Sequence, residues 1–209
     1  MYRIPASEEE SEIVVLKSRF IASIAPAFSA DEAKAYIKGI KFRYPDATHH
    51  VTAYIIGHPP STIAHSSDDG EPPGTAGRPA LAALQGSGLG DIVAVVTRYF
   101  GGTKLGTGGL VRAYSTAVKE ALKLLPLAQK IPTTTVELTL EYKWYDPLQA
   151  LISKFNGEIQ AKDFSEDITI RVQFADIHWK EFEAALRDLS NTAIIPNIIQ
   201  HDTDTIVPI

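Results

Sequence analysis

The sequence predicts an α+β protein of two domains, and three observations support this. Strand-type alternation and helix-type periodicity interleave along the whole chain. Charge divides unevenly: residues 1–131 carry 14 Lys+Arg against 12 Asp+Glu, and residues 132–209 carry 6 against 13. All the glycines except Gly157 precede residue 110. This shift in composition separates a domain of residues 1–131 from one of residues 132–209. The expected joint runs from Leu125-Pro126 to Ile131-Pro132-Thr133, where prolines cannot continue a helix and stiffen the connection.

In the first domain, residues 12–16 and 19–27 read as strands. Ser29-Ala30-Asp31-Glu32 is a capping box that opens a helix reaching about Phe42. Val51, Ala53 and Ile55 alternate with Thr52, Tyr54 and Ile56 in a strand. A long Gly/Pro/Asp loop over residues 66–78 precedes a short helix to Gln85. Residues 91–99 form the most buried-looking strand. A glycine loop, residues 101–109, then leads into a helix over about residues 110–124.

The second domain opens with Val136, Leu138, Leu140 and Tyr142 in strand alternation. Asp146-Pro147 reads as an N-cap followed by proline, with Leu148, Leu151, Ile152 and Phe155 on one helical face and Asn156-Gly157 as the stop. A short strand follows at residues 158–161, then a strand with Ile168, Ile170, Val172 and Phe174 inward. Asp176 is placed to cap a helix that turns Trp179, Phe182, Leu186 and Leu189 inward, and residues 193–199 form the last strand. The order βαββαβ is the ferredoxin-like pattern. No nucleophile, metal cluster or glycine loop interrupts it, which assigns this domain a binding or structural role.

The chain has 209 residues, 44% of them hydrophobic and 22% charged, and a net charge of −5, which is ordinary for a globular protein. It has no cysteine, and this excludes disulfides, Cys-ligated zinc, iron–sulfur clusters and a thiol nucleophile. The longest aliphatic run, Ile92-Val93-Ala94-Val95-Val96, is far too short for a membrane span. No apolar segment near the N-terminus resembles a secretory signal, so a soluble, cytoplasmic protein is expected.

Three segments carry residues suited to chemistry. Gly101, Gly102, Gly106, Gly108 and Gly109 surround Lys104 between a strand and a helix, where backbone N–H groups favour an anion. Neither the P-loop nor the G-x-G-x-x-G spacing occurs there, and a sterically tight turn accounts for the glycines equally well. On the following helix Arg112, Lys119 and Lys123 fall within about 40° of one another. With Arg98 and Lys104 they form a candidate phosphate-tracking stripe, or an ordinary solvated face. The loop with Ser67, Asp68, Asp69, Glu71 and Thr75 suits a turn, a partner-binding loop or a water-mediated Mg²⁺ contact. His49 and His50 point to opposite faces of a strand and so do not chelate one ion together. No metal site, cofactor or catalytic residue is assigned.

Lys17-Ser18-Arg19-Phe20, His49-His50, Ser67-Asp68-Asp69-Gly70-Glu71-Pro72 with Gly74-Thr75-Ala76-Gly77, and Arg98-Tyr99-Phe100-Gly101-Gly102 with Leu105-Gly106-Thr107-Gly108-Gly109-Leu110 closely resemble the IMPACT family, in its bacterial, YigZ-like branch. The motifs occur in the same order through roughly residues 12–125, and the rest resembles the small domain that follows in bacterial members. The resemblance implies a first domain with the fold of ribosomal protein S5 domain 2 and a ferredoxin-like second domain. This pair is similar to the last two domains of elongation factor G, domain V being the ferredoxin-like one. It implies a translation-linked regulatory or accessory protein that binds structured RNA or the ribosome.

In that reading Arg98, Lys104, Arg112, Lys119 and Lys123 contact phosphate, and the glycines permit close backbone approach. Two alternatives stay open. One is an enzyme or nucleotide-binding protein using a phosphate-bearing ligand, with Asp68, Asp69 and Glu71 around Mg²⁺. The other is a protein-interaction module presenting the loop at residues 66–78. No membrane partner is expected.

Overall fold

The computed structural model describes residues 2–59 and 61–209. The chain divides into two compact units, Tyr2–Gln129 with residues 208–209, and Lys130–Val207.

The first unit contains β1 (Tyr2–Pro5), β2 (Glu9–Val15), β3 (Ser18–Pro26), α1 (Ala30–Arg43), β4 (His49–His58), β5 (Ser61–Ser67), α2 (Gly77–Ser87), β6 (Ile92–Tyr99) and α3 (Gly106–Leu124). Five strands form an antiparallel sheet in the order β2-β3-β6-β4-β5. Alternation along β3, β4 and β6 sends Phe20, Ala22, Ile24, Val51, Ala53, Ala94 and Val96 to one face, where Ala80 and Leu84 of α2 and Ala113, Tyr114, Ala117 and Ala121 of α3 cover them. Ala25, Tyr54 and Val93 face the opposite way onto Ala33, Tyr36 and Ile37 of α1. The sheet therefore has helices on both sides, which explains the unbroken apolar run in β6.

The capping box of α1 is present with its return bond displaced by one residue, to Phe28 rather than to the cap residue Ser29. The Ser29 hydroxyl accepts from the Glu32 N–H at 3.1 Å, and the Glu32 carboxylate accepts from the Phe28 N–H at 2.9 Å.

The second unit contains most of β7 (Leu127–Leu140), a 3-10 turn (Tyr142–Trp144), α4 (Tyr145–Lys154), β8 (Glu158–Phe164), β9 (Ile168–Ala175), α5 (Asp176–Ser190) and β10 (Asn197–Pro208). Its strands lie in the order β10-β7-β9-β8, the ferredoxin-like arrangement. Val136 and Leu138 of β7, Ile170, Val172 and Phe174 of β9, Leu148 and Ile152 of α4, and Trp179, Phe182 and Leu186 of α5 form its core. The Phe174 and Phe182 rings are 4.2 Å apart, with Trp179 tilted against both.

Several boundaries differ from the sequence reading. The division between the two units, at Gln129 and Lys130, falls inside the expected joint at residues 125–133, but that segment is mostly strand and Pro132 lies inside the 14-residue β7. The ladder to β9 begins one residue later, at Thr133. Helix α4 starts at Tyr145, with the 3-10 turn supplying its entry, so Asp146 is not the cap. Asp176 is the first residue of α5, and its carboxylate instead accepts from the Thr134 hydroxyl and meets His201. The last strand runs over Asn197–Pro208 rather than residues 193–199, because Asn191 and Thr192, both at positive φ, first turn the chain. The long loop shortens to residues 68–76, since β5 and the start of α2 take its two ends.

The glycine segment also changes. Helix α3 begins at Gly106, so Gly106, Gly108 and Gly109 belong to its first turn and only residues 100–105 form a loop. Gly101 is fixed by close approach: a Cβ there would lie 2.0 Å from the Lys17 carbonyl carbon, at the β2–β3 turn. Gly102 and Gly106 have positive φ with open space around them. We predict that Gly101→Ala lowers stability by about 2–3 kcal/mol, because backbone atoms must separate. Urea unfolding followed by far-UV circular dichroism checks this; a midpoint equal to wild type contradicts it.

Candidate functional site

The motifs singled out in the sequence converge on one cavity of the first unit, about 380 Å³ in volume. The end of β6 brings Arg98 and Phe100, the start of β4 brings His49 with the preceding Thr48, and the acidic loop brings Glu71 and Pro72. The approach to α3 brings Lys104 to Thr107, and Leu110 closes one side.

The three carboxylates of the acidic loop have different partners. Asp68 accepts from the N–H groups of Gly74, Ala76 and Gly77 at 2.8, 3.0 and 2.8 Å. It therefore caps α2, whose own N-cap residue is Ala76. Burial raises its pKa, but the three backbone donors outweigh that and hold the carboxyl below the usual range. Asp69, at φ +46°, accepts from Lys41 at 2.9 Å and from the His50 N–H at 2.7 Å. Burial again opposes ionisation, and Lys41 and the His50 amide overcome it to lower the Asp69 pKa. The Ser67 hydroxyl accepts from the Asp69 N–H, and the Thr75 hydroxyl donates to the Pro72 carbonyl, so both shape the turn.

Glu71 is the carboxylate of this loop that reaches the cavity. It is 6% exposed, and one of its oxygens accepts from both Arg98 and the Tyr114 hydroxyl. Burial, with this bond adding to it, drives the Tyr114 pKa far above the ordinary phenol value, so Tyr114 is a fixed donor. The Arg98 guanidinium lies 5.3 Å from the Phe20 ring centroid and 5.6 Å from that of Phe100. Its Nε has no hydrogen-bond partner. The His49 Nδ1 lies 2.8 Å from the Asp69 carbonyl, an acceptor, so Nδ1 carries the proton and Nε2 faces Glu71 at 3.9 Å.

The remaining predicted site residues separate by location. Arg98 is 5% exposed and ion-paired, so it belongs to the cavity floor and not to a surface stripe. Lys123 bonds Glu120, which removes it from the candidate phosphate-tracking stripe. Arg112 and Lys119 are exposed, and among the described residues no carboxylate lies within ion-pair reach of them or of Lys104. Lys119 follows Gly106 by about 20 Å along the helix, far from the cavity. Arg19 pairs with Glu12 across the β2–β3 hairpin, and Phe20 packs edge-on against Tyr114. His50 is buried, its Nε2 bonded to the Tyr44 carbonyl.

Sequence reasoning gave no site role to Tyr114, and it named Lys17 only within a family motif. Tyr114 sits on the apolar face of α3, where helical spacing marks it as core, although a hydroxyl on such a face needs a partner. Lys17 is the exposed second residue of the β2–β3 turn, and its backbone abuts Gly101. Among the described residues no cluster of three or more His, Asp or Glu is placed to hold a metal ion, and no helix is long and apolar enough to cross a membrane.

Fold and site together define a two-domain α+β protein with a buried Arg–Glu–Tyr cluster beneath a basic-rimmed cavity. The Impact N-terminal domain matches residues 16–122, and a domain of unknown function, DUF1949, matches residues 138–191. The chain is 41% identical over 192 residues to the IMPACT family member YigZ of Escherichia coli K12, covering 91% of this chain and 94% of that protein. It is 35% identical to the IMPACT family member YvyE of Bacillus subtilis, covering 87% and 83%. A solved structure described as that of a hypothetical protein aligns over 95% of this chain and 97% of its own, with 40% identity and a TM-score of 0.63. The chain belongs to the IMPACT family.

Breaking the buried pair from one side leaves an uncompensated charge. Arg98→Met is therefore expected to cost about 3–5 kcal/mol, measured by urea unfolding, and a cost within error of zero would contradict the burial argument. The Asp68 pKa is depressed in the folded state, so its stabilisation is present above the unfolded value of about 4 and lost as pH falls through the folded value. In a series of urea midpoints against pH, Asp68→Asn flattens the acid limb below about pH 4; an unchanged limb would show that the cap contributes nothing there.

Proposed function

We propose that the protein is a translation-linked regulatory or accessory factor, and that its first unit binds structured RNA, including that of the ribosome. The observation that carries this reading is a set of exposed cations without carboxylate partners at one end and along one face of α3. Arg112 and Lys119 share a face, and Lys17 stands on the adjacent hairpin tip. Val15 and Leu16 of that hairpin line a shallow groove with Leu105, Gly109 and Arg112, which places the tip beside the start of α3. Such a surface tracks phosphates, whereas a paired surface such as Lys123–Glu120 does not. The translation link is supported by the resemblance of the two-domain order to the end of elongation factor G. The second domain, acidic by composition, is the less suited of the two to RNA.

The test is co-sedimentation with ribosomes and with RNA across a salt series. Wild type should bind with a negative dependence of log affinity on log salt. The Lys17→Ala, Arg112→Ala, Lys119→Ala triple variant should bind more weakly, with its salt slope reduced by about three. Equal affinity and slope would remove the cationic face from consideration. Recovery of a single protein, insensitive to nuclease, would instead favour the protein-interaction reading.

A further inference from the structure

We propose that the tip of the β2–β3 hairpin, Leu16-Lys17, is a wedge that contacts an unpaired nucleotide of the bound RNA, with Leu16 against the base and Lys17 and Arg112 on the flanking phosphates. This rests on the RNA-binding reading above and names the feature of the RNA that the first unit selects, a loop or bulge rather than a continuous duplex.

The first observation is the backbone. The β2–β3 ladder ends at the pair Val15 and Ser18, so Leu16 and Lys17 alone make the turn. Both lie at positive φ, +46° and +68°. A two-residue hairpin turn with both central residues left-handed is ordinarily built from Asn-Gly or Asp-Gly, and a bulky side chain is disfavoured there. A leucine in this position is strained, and strain of this kind collects at binding sites. The turn is also pinned from behind. The Gly101 N–H donates to the buried Ser18 hydroxyl at 3.1 Å, and the Gly101 backbone lies against the Lys17 carbonyl.

The second observation is what the strained turn presents. Leu16 is 57% exposed and Lys17 is exposed, so neither side chain completes the core. Leu16 lines a shallow groove of about 220 Å³ with Leu105, Gly109, Arg112 and Thr116. An apolar side chain thus shares a groove with one cation, Arg112, and a second cation, Lys17, follows it in the turn. Among the described residues neither cation has a carboxylate within ion-pair reach.

The combination selects the partner. Cations without carboxylate partners suit a polyanion. Phosphate contact alone would be served by an unstrained turn, with no leucine in water. In an A-form duplex the bases are stacked and the major groove is closed to side chains, so an apolar tip finds no base face there. An unstacked base in a loop or bulge offers one, and leucine is among the apolar residues that serve as wedges against nucleic-acid bases.

The test is fluorescence anisotropy with two naked RNA probes of one stem, a stem-loop with a single-stranded loop and the same stem as a blunt duplex. Wild type should favour the stem-loop by about fivefold or more. Leu16→Asn removes the apolar tip without changing charge and introduces a residue that accepts positive φ. It should keep or raise the urea midpoint, bring stem-loop affinity down to that for the duplex, and leave the salt slope unchanged. Leu16→Met, which keeps an apolar side chain, should retain the preference. The Lys17→Ala, Arg112→Ala, Lys119→Ala variant should instead lower affinity and slope on both probes. Equal affinity of wild type for the two probes, or stem-loop binding by Leu16→Asn as tight as wild type, would overturn the wedge and leave the RNA-binding reading intact. Weaker ribosome binding by Leu16→Asn with both naked probes unaffected would place the tip on a ribosomal protein and overturn it equally. Silence of both naked probes with wild type would also overturn it, and if ribosomes too fail to sediment with the protein, the RNA-binding reading falls with it.

Discussion

The first unit is organised around one buried ion pair, Arg98 with Glu71. Each partner would be intolerable alone in that environment, because removing a charge from water without compensation is severely unfavourable. The pair therefore constrains three separate pieces of chain. It holds the acidic loop down, fixes the end of β6, and through the Tyr114 hydroxyl ties both to α3. The Phe20 and Phe100 rings both lie within about 6 Å of the guanidinium and add cation–π contact to it. The cavity exists because these groups hold one another in place beneath it.

Residue types that look chemical in a sequence divide here by their hydrogen bonds. Asp68 and Asp69 are spent on backbone N–H groups and a lysine, and they build the turn that presents Glu71. Gly101 serves a close approach of two backbones, while Gly102 and Gly106 supply left-handed conformations. The same loop composition would suit a metal site, and what distinguishes the two is where each oxygen points. Local composition identified the important segments; the roles within them followed from partners distant in the chain.

Legibility in the sequence followed the strength of the one-sided pattern. Strands β3, β4, β6, β7 and β9 bury alternate residues or run through the interior, so their periodicity was readable, as was the α1 capping box. Strand β10, whose first nine residues read Asn-Ile-Ile-Gln-His-Asp-Thr-Asp-Thr, mixes polar and apolar residues and has no buried face over residues 197–207. Strand β5 is exposed along nearly all its length, and no core face marks it. The start of α3 was obscured by glycines that usually signal loop. In the site, Glu71 and Arg98 are 27 residues apart and Tyr114 lies 43 beyond Glu71, so only the sheet register and the packing of α3 bring them together.

The distribution of tryptophan has a spectroscopic consequence. Both tryptophans, Trp144 and Trp179, belong to the second unit, and Trp179 is packed against Phe174 and Phe182 in its core. The first unit, with its ion pair and cavity, contains only tyrosine and phenylalanine as fluorophores. Intrinsic tryptophan emission thus watches one unit and is nearly blind to the other, whereas far-UV circular dichroism sees both. Any offset between the two signals during unfolding measures how far the two cores melt as separate thermodynamic bodies.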